Sequence, residues 1–140
     1  MNIEERQEEI IDEFSLYDDW MDRYQYLVEL GNALPEMPEA DKTEQNLIDG
    51  CQSKVWLTAN YDNGVITYQG DSDAIIVKGI VSLLIKVLSG STTNEIINSD
   101  LHFIDAIGLK EHLSPTRSNG LLAMVKQMRL YAVAFKAKYE

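Results

Sequence analysis

Cysteine is almost absent from this chain: Cys51 stands alone among 140 residues. One thiol cannot close an internal disulfide, so a disulfide-stapled secreted scaffold is excluded and a reducing cytoplasm is the expected compartment. Beside the carboxylates only His102 and His112 could join it, too few for a zinc site or a cluster scaffold of the usual thiolate-rich kind. Gly-rich phosphate loops and dinucleotide fingerprints are missing as well, so no metal and no bound cofactor are expected. Positive charge is scarce too. Twelve Lys and Arg face 23 Asp and Glu, a formal charge of -11, and a chain without a cationic surface is a poor partner for nucleic acid or anionic membrane. No apolar run reaches the about 20 residues that cross a bilayer. Met1-Asn2-Ile3-Glu4-Glu5 carries no basic segment leading into an apolar core, so no secretory signal is read there. The expected partners are proteins.

The chain has apolar residues in quantity, 45% by count. Over this length they suit one domain, residues 1–140, burying roughly two thirds of the surface its unfolded chain exposes. Ile3, Ile10, Ile11 and Phe14 recur at helical spacing while Glu4, Glu5, Glu8, Glu9, Asp12 and Glu13 fill the other positions, predicting an amphipathic first helix with a solvated acidic face. A second helix is predicted over about 20–30, with Trp20, Tyr24, Leu27 and Val28 inward and Gly31 as its stop. Pro35 and Pro38 make 32–50 an irregular connection.

From Lys54 to Asp62 the residues suit a strand, Asn63-Gly64 a type I′ turn, and Val65 to Gly70 the returning strand. Alternation places Val55, Leu57 and Ala59 on one face, Trp56 and Thr58 on the other. The run from Asp73 to Leu88 reads as a central buried helix whose polar stripe is Lys78, Ser82 and Lys86. Gly90 ends it, and Thr92 with Glu95 can form a capping box for a short helix through Ile97. Short helical turns broken at Gly108 fill 101–113. A final helix starts near Pro115 and Ser118 and packs through Leu121, Leu122, Val125, Met128, Ala132 and Phe135. Two strands, with a short third near Leu47, set among several helices define an α+β domain built on a small antiparallel sheet.

Cys51 lies in Gly50-Cys51-Gln52-Ser53-Lys54-Val55-Trp56, where turn-forming residues give way to the first strand. Gly50 frees the backbone there, and a loop held by a rigid strand is a common place for a reactive group. Local residues leave two readings open: a reactive thiol, or a buried cysteine acting as a small hydrophobe.

Four separated segments bear on that choice: Leu34-Pro35; Asn46-Leu47-Ile48-Asp49-Gly50-Cys51-Gln52-Ser53-Lys54-Val55-Trp56; Asp71-Ser72-Asp73-Ala74-Ile75-Ile76-Val77-Lys78-Gly79; and Gly108-Leu109 with His112-Leu113-Ser114-Pro115-Thr116-Arg117-Ser118-Asn119-Gly120-Leu121. In order and spacing they resemble the SufE/CsdE family, the sulfur acceptors that partner cysteine desulfurases in iron–sulfur cluster assembly. Lys78 departs mildly from the family pattern, where arginine is frequent, and Lys54 occupies a variable position.

The resemblance implies that Cys51 carries sulfur as a persulfide taken from a SufS/CsdA-like desulfurase. That partner's pyridoxal phosphate extracts the sulfur, and a SufB-like scaffold receives it. Arg117 is the second candidate, as thiolate stabiliser or partner contact, against a plain helix-start arginine; Gly50, Gln52 and Ser53 are candidates for shaping or contacting the loop. Two other classes compete. A cysteine hydrolase would need His102 or His112 as base, and a regulatory binding module would need no chemistry at Cys51.

Overall fold

Asn2 starts the first helix by the means its sequence offers. Its side chain accepts from the Glu5 amide at 2.8 Å while the Glu5 carboxylate accepts from the Asn2 amide at 3.1 Å, a reciprocal cap that satisfies two otherwise orphaned donors. The structure, a computed structural model, describes residues 1–140. Helix α1 spans Ile3–Ser15 and buries Ile3, Gln7, Ile10 and Phe14. Gln7 is the unexpected member of that face. Its amide group donates to the Asp100 carbonyl at 3.0 Å and accepts from the Phe103 amide at 3.1 Å, so burial costs it no unmet hydrogen bond.

Helix α2, Trp20–Ala33, runs past Gly31. Its actual terminator is Pro35, which forces Leu34 into extended backbone with ψ 130°. Gly31 instead serves a crossing with α3, Ile75–Leu88: a Cβ on Gly31 would sit 2.9 Å from the Gly79 amide nitrogen, and one on Gly79 would sit 2.3 Å from the Leu27 carbonyl oxygen. The two helices touch backbone to backbone at these glycines.

Strands β1, Val55–Asp62, and β2, Val65–Ser72, pair antiparallel from Val55 opposite Ser72 to Asp62 opposite Val65. Asn63 and Gly64 both take positive φ, 53° and 81°, as a type I′ turn demands. The inward alternation is as expected, with Val55 and Leu57 buried. The third strand is not near Leu47, which makes only an isolated bridge to Trp56, because a 3₁₀ turn at Glu44–Asn46 and the turn at Gly50 confine the extended backbone to a few residues. It is β3, Ser91–Thr92, which pairs with Val65 and Ile66 and gives the order β1-β2-β3.

Helix α3 begins two residues later than the apolar run suggests, since Asp73 is engaged with Lys54 across the hairpin base. The Lys54 amide donates to the Asp73 carboxylate at 3.0 Å, and the Asp73 amide donates to the Lys54 carbonyl at 3.2 Å. The polar stripe of α3 is also narrower, because Ser82 is buried. Lys78 reaches back to Asp71, a buried carboxylate that also meets Lys42. Burial alone would raise the Asp71 pKa; its bond to the Ser72 amide and the two lysines outweigh that and hold it below the ordinary range. This cluster ties the 34–50 connection to the sheet and to α3.

The capping box of Thr92 and Glu95 forms as expected at α4, Thr93–Ile97. Two single-turn helices, α5 at Phe103–Ala106 and α6 at Leu109–His112, precede the long helix α7, Pro115–Tyr139. In α7, Leu121, Met124, Val125, Met128 and Ala132 are buried, whereas Leu122, expected inward, is half exposed on the outer face. The core is shared by α3, the inner sheet face and α7, with α1 and α2 packed against α3. No helix is long and apolar enough to cross a membrane.

Candidate functional site

The loop that carries Cys51 is pinned at its two ends. Upstream, the Ile48 amide donates to the Val55 carbonyl at 2.9 Å; downstream, the Lys54 carbonyl accepts from the Ser72 hydroxyl at 2.9 Å and its amide donates to Asp73. Between them Gly50 takes φ +92°, a backbone conformation that side chains disfavour. A Cβ there would lie 3.4 Å from that of Ala123, so the loop rests directly on α7.

Cys51 is half-buried, and its Sγ donates to the Gly120 carbonyl oxygen at 3.6 Å. Gly120 keeps this wall of α7 low: a Cβ on it would stand 3.4 Å from Sγ, in ordinary contact, and any longer side chain would press on the sulfur. Glycine inside a helix costs about 1 kcal/mol relative to alanine, and here it leaves a notch on α7 that a longer side chain would fill. Burial pushes the Cys51 thiol pKa up. The neighbouring carbonyl oxygen acts in the same direction, because it can accept from a thiol and can only repel a thiolate.

Beside the sulfur opens a cavity of about 360 Å³. Cys51, Gln52, Ser53 and Arg117 all line it, so four sequence candidates meet at one place; Gly50 does not line it and acts from beneath by letting the loop turn. The remaining walls are not among the site residues expected from the sequence: Val77 and Ile80 from α3, Ser114 that caps α7, and Thr116, Gly120 and Met124 within α7. The signal for Gly120 was available, since an isolated glycine in a helical pattern asks for a packing or functional reason. The α3 residues carried none, because their approach depends on the tertiary fold.

Arg117 occupies the first turn of α7, where Ser114 caps the helix by accepting from the Arg117 amide at 3.2 Å and Pro115 takes the first helical position. The guanidinium itself forms no hydrogen bond or ion pair within the chain. No carboxylate and no histidine lines the cavity. His102 pairs with Glu4 at 2.9 Å, and His112 stacks on Trp20 with ring centroids 3.8 Å apart. A hydrolase would need a base within hydrogen-bond reach of its nucleophile, and this site offers none.

Residues 8–132 match the SufE family, described as the Fe-S metabolism associated domain. This chain belongs to the SufE family. Two uncharacterised SufE-like proteins are similar across most of it: that of Rhizobium meliloti (strain 1021) is 43% identical over 127 residues, 87% of this chain and 91% of the relative. That of Rhizobium etli is 45% identical over 127 residues, 87% of this chain and 86% of the relative. The fold is similar to the solution structure of a hypothetical protein from Thermus thermophilus, with a TM-score of 0.75 and 21% identity, covering 92% of this chain and 94% of that one. SufE membership gives the chain a place in iron–sulfur metabolism. The α+β architecture expected from the sequence is that of the SufE fold.

Proposed function

We propose that this SufE-family chain is a sulfur acceptor and relay: Cys51 takes sulfur from the persulfide of a pyridoxal-phosphate-dependent cysteine desulfurase, stimulates that enzyme, and yields the sulfur to an iron–sulfur scaffold. Residues 1–140 act as one domain in a reducing cytoplasm. In the acceptance step the Cys51 thiolate attacks the outer sulfur of the donor's persulfide. A new bond forms between that sulfur and Cys51 Sγ, and the donor's S–S bond breaks. The donor leaves as a thiolate carrying the bonding electron pair, and no oxidant is consumed, as in thiol–disulfide exchange.

The observation that supports a carrier over a hydrolase is the lone thiol seated beside a cavity lined by no carboxylate and no histidine. A carrier needs a nucleophile, shelter for its product, and nothing that would activate water. The raised thiol pKa fits a resting state that holds Cys51 as the thiol until a sulfur donor is bound. Moving the sulfur out of the Gly120 notch lowers that pKa toward the ordinary value of about 8.5, and docking of the donor supplies the occasion. Arg117, at the cavity wall, stabilises the thiolate once formed or contacts the docked partner.

Cysteine turnover by the desulfurase, measured with and without this protein, tests the reading. Wild type is expected to raise turnover while Cys51→Ser leaves it at the unaided rate, with binding of the two proteins retained. Equal stimulation by Cys51→Ser would replace the relay with a regulatory binding module.

A further inference from the structure

The cavity is much larger than the sulfur it would protect. One added sulfur needs space on the scale of a water molecule, about 30 Å³, whereas about 360 Å³ lies beside Cys51, within the range of pockets that hold small molecules, about 300–1,000 Å³. Its walls divide by character. Val77, Ile80 and Met124 present an apolar side, while Ser53, Ser114 and Thr116 present hydroxyls.

Arg117 adds the third element. The chain has four arginines, and three are committed: Arg6 donates to the Val87 carbonyl and the Ser91 hydroxyl, Arg23 to the Tyr17 and Ile107 carbonyls, Arg129 to the Ser99 carbonyl. Only the Arg117 guanidinium is free. Arg117 is exposed and lines a cavity that holds no carboxylate, so an anion entering there meets a guanidinium with no internal partner to displace. A guanidinium matches a carboxylate through two parallel hydrogen bonds, and the positive end of the 25-residue α7 adds attraction at the same wall.

We propose that this cavity binds a low-mass, carboxylate-bearing persulfide, such as that of a cysteine-containing peptide, with Arg117 holding the carboxylate and Cys51 receiving the outer sulfur. The inference rests on Cys51 being the sulfur acceptor and names a second class of donor for it. Hydroxyls of Ser53, Ser114 and Thr116 meet the polar backbone of such a molecule, and its methylene stem lies against Val77 and Ile80. In the transfer the Cys51 thiolate attacks the sulfane sulfur, which keeps its proton. The bond between the two donor sulfurs breaks, and the donor departs as its thiolate with the electron pair. Arg117 is here a specificity residue, because it distinguishes donors by charge.

The test uses the full chain without any desulfurase, with glutathione persulfide and the persulfide of a neutral alkyl thiol as probes, and intact mass to follow gain of one sulfur. Wild type is expected to load with glutathione persulfide, and Cys51→Ser is not. The ratio of the glutathione persulfide rate to the neutral persulfide rate is expected to fall about threefold in Arg117→Ala, the scale of an exposed ion pair, and to recover in part in Arg117→Lys. Taking the ratio removes any effect of Arg117 on the thiolate itself, which slows both probes alike. An unchanged ratio in Arg117→Ala overturns the proposal. If a desulfurase loads Cys51 but that ratio does not move, the relay stands and the low-mass donor falls; if neither source loads Cys51, both fall.

Discussion

Gly79→Ala is expected to lower the melting temperature by roughly 5–10 °C, a loss of about 2–3 kcal/mol at a few degrees per kcal/mol for a chain of this size. The added Cβ would lie 2.3 Å from the Leu27 carbonyl oxygen and 2.8 Å from its carbonyl carbon. Both atoms are backbone within α2, so no rotamer change relieves the clash and the helices must part. Alanine's better helix propensity returns about 1 kcal/mol, which is included in that figure. Gly31→Ala, whose Cβ would meet the Gly79 nitrogen at 2.9 Å, is expected to cost less. Thermal and urea melts followed by circular dichroism measure both. A Gly79→Ala variant as stable as wild type would mean that α2 and α3 do not cross at these glycines.

Gly120→Val is expected to make Cys51 react with iodoacetamide several-fold faster at neutral pH, because a thiol freed from burial has a lower pKa and a larger thiolate fraction. Valine's γ carbons reach beyond the Cβ position that already stands 3.4 Å from Sγ, so the sulfur is driven from its notch into water and loses the Gly120 carbonyl contact. Gly120→Ala is the control, since at 3.4 Å its Cβ makes ordinary contact and the sulfur stays seated. The pH profile carries the sign. Burial raises the folded-state thiol pKa, so the alkylation midpoint of wild type lies above that of an exposed thiol, and the midpoint of Gly120→Val lies below wild type. By linkage, seating the neutral thiol stabilises the fold fully below the unfolded thiol pKa of about 8.5, and that contribution is lost as pH rises through the higher folded value. Identical rates and midpoints in wild type and Gly120→Val would remove Gly120 as the seat of the sulfur.

Local chemistry was the legible part of this chain. Asn63-Gly64 announces its turn because two successive positive φ angles admit few other residues, and Thr92 with Glu95 announces its cap because the partners are three residues apart. Cys51, Gln52, Ser53 and Arg117 were also readable as candidates, from a local motif and a resemblance to SufE. What escaped depends on contacts between distant segments. Gly31 looks like a helix stop until Gly79, 48 positions on, is seen pressed against it. Ser82 looks like part of a wet stripe until the fold covers it. The third strand is a two-residue pairing of Ser91–Thr92 with β2, too short for any alternating pattern to betray. Gly120 was visible as a residue, yet its role needs the Cys51 loop folded onto α7.

The relay reading stands or falls on whether sulfur comes to rest on Cys51. Intact-mass spectrometry of the protein after incubation with a cysteine desulfurase and free cysteine is expected to show a gain of one sulfur atom, reversed by reductant, in wild type and not in Cys51→Ser. A desulfurase that binds the protein and turns over cysteine, yet leaves the wild-type mass unchanged, would contradict it.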